Sequence, residues 1–403
     1  MSTPHGDGVV DWASDWDHTD SAWVENPYPI LEQLQSQCPV AHTSRYNDGV
    51  WLPVSYADVS SVLLNPETFS SDHDGIQRSG YGRLRLPPIH SDPPDHRSVR
   101  RILLPAFTPS AAEALREFTR QYCGQLIEKL PASGTCDAAL DYSQHISVAV
   151  MAKLLGVPVE DGDLLRRWIT DVIEVGPNNP DVSNKAHADL ATYVTRLVDQ
   201  PEEQCSEVVL RIRRGEIEGE PLTRDIMVRM LVLLVIAGVD TTWSAIGTSL
   251  WHLAQRPDQR QALACDLSRV PAAVEEFLRC YAPVSVPRRT TRPTTLGNRH
   301  IETGDMLLVS IPGANRDPQA FDDANSVRLD RDVNRHLAFG LGIHRCLGSS
   351  LARMEMQEAL SVWLRDVAHF ELSHAEATTW SAGVVRGPRR VPLLFSRVGS
   401  VIQ

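Results

Sequence analysis

The run Phe339-Gly340-Leu341-Gly342-Ile343-His344-Arg345-Cys346-Leu347-Gly348 places a cysteine in a segment suited to presenting it. Its glycines let the backbone turn tightly and approach a flat ligand closely, and a helical pattern begins directly after them. A cysteine there faces unpaired N–H groups and the positive end of a helix dipole, which favour thiolate over thiol. Thiolate is the state a metal ligand requires. Two other uses of the segment fail on spacing. A nucleotide loop built from Gly340 and Gly342 would need a third glycine where Arg345 stands, and no βαβ pattern surrounds it. A zinc site on His344 and Cys346 would need two more ligands nearby.

A second segment, Ala237-Gly238-Val239-Asp240-Thr241-Thr242, is a poor helical sequence inside a strongly helical stretch. Glycine costs about 1 kcal/mol against alanine, and hydroxyl groups can take over backbone carbonyls, so the helix can bulge here. Irregularity in the middle of a helix often marks a functional site. Elsewhere, His96 and Arg100 stand four apart on one helical face, where two cationic donors can bind one anion. Glu276 and Arg279 have the spacing of a helical ion pair.

Together these residues resemble the cytochrome P-450 family. Its haem-binding loop reads Phe-x-x-Gly-x-His-x-Cys-x-Gly, matched at Phe339, Gly342, His344, Cys346 and Gly348. The resemblance covers roughly residues 25 to 395, with the motifs in the family's order. It implies a mainly α fold with minor β, a long central helix over haem b (iron protoporphyrin IX) and the thiolate loop beneath. Cys346 is then the axial ligand, Phe339 shields the sulfur, and His344 points at a haem propionate. A thiolate ligand pushes electron density onto iron and favours O–O cleavage. His96, Arg100 and Arg288 hold propionates, with Arg289 as the fallback for Arg288. Gly238 leaves room for dioxygen, Thr241 hydrogen-bonds to it, and Asp240 relays protons. Glu276 and Arg279 form a buried pair that Arg328 completes, although Leu329 stands where the family has an aromatic residue.

The implied activity is a haem-thiolate monooxygenase that inserts one atom of dioxygen into a small hydrophobic substrate. Electrons are expected from a separate ferredoxin or flavodoxin with its reductase, docked on a basic patch of Arg97, Arg101 and Arg345. Helical phase places Leu233, Ile236 and Ala237 beside Thr241 in a substrate pocket, and Val284, Val286 and Val384 match pocket positions of the family. Two other readings remain: a peroxide-driven peroxygenase, and a haem sensor or binding protein without turnover. Asp240 and Thr241 argue against both, because neither needs a proton relay.

The elements that must position these residues follow from punctuation and period. Pro221 and Pro257 bracket thirty-five residues without proline, opening on the cap-like Thr223, which predicts a helix roughly 50 Å long. Helices are also expected near 29–37, through most of 94–256, and from Cys346 to about Asp366. Strands are expected around Val50–Val54 and within Val284–Val309, where Gly297-Asn298 and Gly304-Asp305 supply turns. Ser70–Pro94 reads as a long loop, and the tail as a terminal hairpin.

No linker, repeat or charge block divides the 403 residues, so a single domain over 1–403 is expected, with residues 1–24 a loosely ordered entry segment. The net charge of -12 argues against nucleic acid or an anionic membrane as a partner. The first forty-four residues contain no Lys or Arg, the opposite of a targeting signal. The longest apolar run, Met230–Val239, is about half of a bilayer span, so no membrane anchor is expected. Seven cysteines without a CxxC pair suit reduced thiols in a cytoplasm, and a monomer is expected.

Overall fold

The computed structural model describes residues 8–46, 49–73, 75–76, 85–176 and 179–398. The stretch between the two prolines forms one helix, Arg224–Gln255. The Thr223 hydroxyl accepts the Ile226 N–H at its start, and Asp225 lies in the first turn, where the dipole favours an anion. Pro257 opens the next helix, Pro257–Cys265, at a position where its missing N–H leaves nothing unpaired. The thirty-two residues of the long helix span about 48 Å. Its first half contributes Met230, Leu231, Val235 and Val239 to a core shared with helices Gln144–Leu155 and Pro180–Asp199. Its second half contributes Ile246, Leu250 and Leu253 to another core, shared with helices Val270–Cys280 and Ser349–Asp366.

By length and a mean hydropathy of 1.8 this helix could cross a membrane. Most of its apolar side chains are instead buried in the protein around it, and Asp240 sits in its middle. The expected bulge does not form, since the helix runs unbroken through Ala237–Thr242.

The minor β structure carries one of the site arginines. A five-stranded sheet has the order Val40–Thr43, Val50–Pro53, Met306–Val309, Val286–Thr290, Phe69–Ser70. Arg288 pairs with Leu307 and Arg289 with Met306. Because successive strand residues point to opposite faces, Arg288 is buried while Arg289 is only half-buried. Gly297, at φ 56°, makes the expected turn between Thr294–Leu296 and Arg299–Ile301. The tail is a wide hairpin whose strands Val367–Leu372 and Pro392–Arg397 pair, with Ser133–Asp137 added to the second.

The loop expected over Ser70–Pro94 carries no helix in its described residues, whereas 74 and 77–84 lie outside them. One expectation is overturned at the N-terminus. Residues 1–7 lie outside the described residues, but from residue 8 onward the entry segment is not loose. Trp16 is fully buried, and Trp23 joins it in a core with Tyr46, Val50 and Leu52. Three tryptophans among polar residues supply enough apolar surface to dock the segment on the sheet.

Candidate active site

The cysteine loop is held by its own backbone. Cys346 N–H donates to the Phe339 carbonyl at 2.7 Å, and Gly340 N–H to the Leu337 carbonyl at 2.7 Å. The Leu337 N–H in turn donates to Asn315 Oδ1 at 2.6 Å. Gly342 has φ 66°, and a Cβ there would stand 2.6 Å from the Leu63 carbonyl oxygen, so only glycine fits. Helix Ser349–Asp366 begins three residues after the sulfur.

Cys346 keeps open surface, yet burial pushes its thiol up from the ordinary value. The Gly348 amide and the charges of Arg100, Arg345 and Arg353 pull the other way. Burial outweighs these groups and works against the thiolate expected from the sequence. Open surface in crowded surroundings marks the sulfur as part of an interior wall. The long helix shows the same feature: Ala237 is exposed, and Ile236 and Thr241 half-buried, in a stretch where Met230–Val235, Val239 and Asp240 are buried.

Two histidines and two arginines gather near the loop. The His96 and His344 rings lie 4.3 Å apart, and the Nε2 atoms of both are buried without a hydrogen-bond partner among the described residues. Burial, then the charges of Arg288, His96 and Arg100, lowers His344 to about 3. Burial lowers Arg288 to about 10, partly offset by Asp92. Asp92 itself already accepts from the Ser70 hydroxyl and from the Ser71 N–H at 2.9 Å. Arg100, also lowered by burial, donates to the Arg345 carbonyl. A buried Arg288 and a half-buried Arg100 with so little anionic compensation, beside histidine nitrogens without a partner, suit a ligand that brings its own carboxylates.

Asp240 is buried in the long helix and paired through Oδ1 with Arg389 Nη2 at 2.9 Å. Arg389, on strand Pro388–Arg390, also reaches Glu174 Oε1 at 2.5 Å and Ser244 Oγ at 3.2 Å. Side-chain exposure rises along this chain, from 1% at Asp240 to 13% at Arg389 and 25% at Glu174. Burial raises Asp240, and Arg389, Trp243 and Ser244 offset part of that rise. Burial raises Glu174 too, against Arg389. Neither Arg389 nor Glu174 carried a sequence signal, because each comes from a different part of the chain. Thr241 Oγ1 donates to the Ala237 carbonyl at 2.9 Å.

A Cβ at Gly238 would stand against Met151 Cε, the far end of a flexible side chain on helix Gln144–Leu155. One site expectation needs correction: the Arg328 side chain does not complete the buried pair. It turns outward to Asp323 at 3.1 Å, and only its N–H reaches Glu276, at 2.8 Å. Arg331 takes the place, donating from Nε to Glu276 Oε2 at 3.0 Å with 7% of its side chain exposed. Sequence spacing put the guanidinium three residues early, since the irregular segment around Ser326–Asn334 offers no period to count on.

Glu276 and Arg279 are paired as expected, at 2.8 and 2.9 Å, and Arg279 also donates to the carbonyls of Asn315, Ala324 and Ser326. Val284, Val286 and Val384, expected in a pocket, are brought near one another by a bridge between Val284 and Val385 and by Ser285 N–H donating to the Val384 carbonyl at 2.9 Å. All three are half-buried, whereas Leu233 is buried. Arg97, Arg101 and Arg345 are exposed. Among the described residues no three His, Cys, Asp or Glu side chains gather around a metal position, so the donor set offered is the lone sulfur of Cys346.

A single sulfur on an interior wall, beside orphaned histidines and buried arginines, fits the iron and the carboxylates of haem and defines a haem-thiolate protein. The comparisons agree: the family model described as Cytochrome P450 matches residues 184–382. The chain is 32% identical over 389 residues to Cytochrome P450 monooxygenase PikC of Streptomyces venezuelae, covering 93% of this chain and 92% of that one. It is 31% identical over 384 residues to Vitamin D(3) 25-hydroxylase of Pseudonocardia autotrophica, covering 92% and 94%. The structure of Cytochrome P450 CYP109Q5 from Chondromyces apiculatus superposes with a TM-score of 0.86 at 29% identity, over 96% of this chain and all of that one. The chain belongs to the cytochrome P450 family; it is a P450 monooxygenase with the P450 fold, and its cofactor is haem b.

Proposed function

We propose that this enzyme inserts one atom of dioxygen into an apolar carbon of a small hydrophobic substrate, using electrons from a separate ferredoxin or flavodoxin and its reductase. The bound haem supplies dioxygen activation, which the thiolate's electron donation assists. Cys346 binds the iron in this reading, and His96, Arg100, Arg288 and His344 take the propionates. The observation that carries the proposal is the acid in the long helix: Asp240 is buried next to Thr241 and linked through Arg389 to the more exposed Glu174.

Asp240 accepts a proton from the Glu174 side and passes it on beside Thr241, and its raised pKa makes it a better proton carrier than an ordinary aspartate. Thr241 orients the acceptor by exchanging its bond to the Ala237 carbonyl for one to the ligand. Arg389 holds Asp240 in place between transfers. Leu233, Ile236, Ala237, Val284, Val286 and Val384 supply an apolar lining without a charged anchor. Two relatives are named a vitamin D(3) 25-hydroxylase and a mycinamicin IV hydroxylase/epoxidase, which agrees with oxidation at carbon.

Free thiols at all seven cysteines support a cytoplasmic setting, and a long helix shared by two cores supports one domain. Arg97, Arg101 and Arg345 form the proposed docking patch.

The test is turnover of a substrate found by its spectral shift, with ferredoxin and reductase or with hydrogen peroxide alone. Asp240→Asn is expected to lower kcat by about 10²–10⁴-fold in the ferredoxin-driven reaction and to leave KM unchanged. Equal turnover by the variant would remove the relay, and product from peroxide with none from ferredoxin and reductase would favour the peroxygenase reading. No product under either condition, with substrate bound, would favour the sensor.

A further inference from the structure

Glu275 and Glu276 are adjacent on helix Val270–Cys280, yet they serve different parts of the molecule. Glu276 closes the network with Arg279 and Arg331. Glu275 reaches the other way. Arg353 Nε and Nη2 donate to its two oxygens at 2.6 and 2.8 Å, and His336 Nε2 lies 3.0 Å from Oε2. His336 Nδ1 accepts from the Ala338 N–H at 3.1 Å, so Nε2 carries the proton and donates to Glu275. Burial pushes Glu275 up, but the bonds from His336 and Arg353 outweigh it and bring the carboxyl down to about 2.

One carboxylate thus ties together helix Val270–Cys280, the loop before Phe339, and the helix after Cys346. The Arg353 guanidinium also lies 4.3 Å from the centre of the Phe339 ring, and the carbonyl of that same residue accepts the Cys346 N–H.

We propose that Glu275, His336 and Arg353 are positioning residues that clamp the Phe339 ring against the cysteine loop and balance the charge beside the sulfur. The inference rests on the reading of Cys346 as the iron ligand. Arginine suits the task because its planar fork can grip a carboxylate with two donors while its face stacks on a ring; lysine can do neither. With Glu275 ionised and His336 neutral, the cluster has no net charge. Neutralising Glu275 leaves Arg353 uncompensated, and a net positive charge near the iron favours its reduced state.

The experiment uses the haem-loaded full chain and two variants, Glu275→Gln and Arg353→Lys. It measures the midpoint potential, the share of the reduced carbon monoxide complex with a thiolate-type band, and the thermal midpoint. Glu275→Gln is expected to shift the reduced-to-oxidised ratio about tenfold toward reduced, which is about 59 mV for one electron. Arg353→Lys keeps the charge but loses fork and stack, so the thiolate-type share falls while the potential stays closer to wild type. Arg353→Lys also serves as the test if Glu275→Gln does not fold. Wild-type potential and band share in both variants, with only a lower thermal midpoint, would reduce the cluster to a structural tie. A shift toward the oxidised state would refute the charge argument. A wild-type protein without the thiolate-type band would overturn the reading of Cys346, and this inference with it.

Discussion

Arg279 and Arg288 are both buried, nine residues apart in the chain, and their surroundings are opposite. Arg279 meets both oxygens of Glu276 and three backbone carbonyls, so that burial, which lowers its pKa, is more than offset and the group ends above its ordinary value. Arg288 donates to the Pro287 carbonyl, feels Asp92 at a distance, and is lowered to about 10. A buried charge whose partners are all in the chain holds the fold together, and one whose partner is missing from the chain waits for a ligand. The difference separates residues that sequence spacing alone treats as equals.

The largest effect should come from breaking the closed side. Glu276→Ala leaves Arg279 and Arg331 buried without their anion and is expected to cost about 3–5 kcal/mol of stability, measured by denaturant unfolding of the haem-loaded protein. The same network predicts a pH dependence. Burial raises Glu276, but Arg279, the Arg328 N–H and Arg331 bring its carboxyl below the ordinary value of 4.5. Its contribution is therefore complete above about pH 4.5 and is lost as pH falls through the lower folded value. If wild type and Glu276→Ala lose stability in parallel across that acid range, the closed-network account fails.

The open side should respond in a different quantity. Arg288→Leu is expected to keep or raise the stability of the haem-free protein, because it removes an uncompensated buried charge, and to weaken haem retention by about 10–100-fold. Transfer of haem to an acceptor protein measures the second effect, and an unchanged transfer rate would show that Arg288 does not face the propionates. The smallest contrast sharpens the boundary of the closed network. Arg331→Ala should cost about 1.5–3 kcal/mol through its lost bond to a buried carboxylate, whereas Arg328→Ala should leave the unfolding midpoint unchanged. The reverse order would restore the sequence assignment.

Legibility in the sequence followed the same divide. The bend of the loop from Phe339 to Gly348 and the shared helical face of His96 and Arg100 depend on a local turn or period, so both could be proposed from neighbours in the chain, whereas the choice of Arg288 over Arg289 came from the resemblance. Arg331 was missed because the segment around it is irregular, so spacing from a motif does not fix which side chain turns inward. Gly238 was given its place by the resemblance, and nothing in its neighbours along the chain says that Met151 from another helix stands beside it. The N-terminal segment was expected to be loose, although its three tryptophans carry the apolar area that decides docking.

By itself, the amino-acid order determined the long helix with its Thr223 cap and proline limits, the glycine-bent cysteine loop, and the helix that follows it. These rest on backbone preferences that act within a few residues. Only the tertiary structure decided that Arg389 and Glu174 meet Asp240, that Arg353 reaches both Glu275 and Phe339, and that the cations near Cys346 have so little anion among them. Those outcomes depend on which distant segments pack together and on the low polarity of the space between them, where a charge keeps its place only with a partner, and neither can be read from neighbours along the chain.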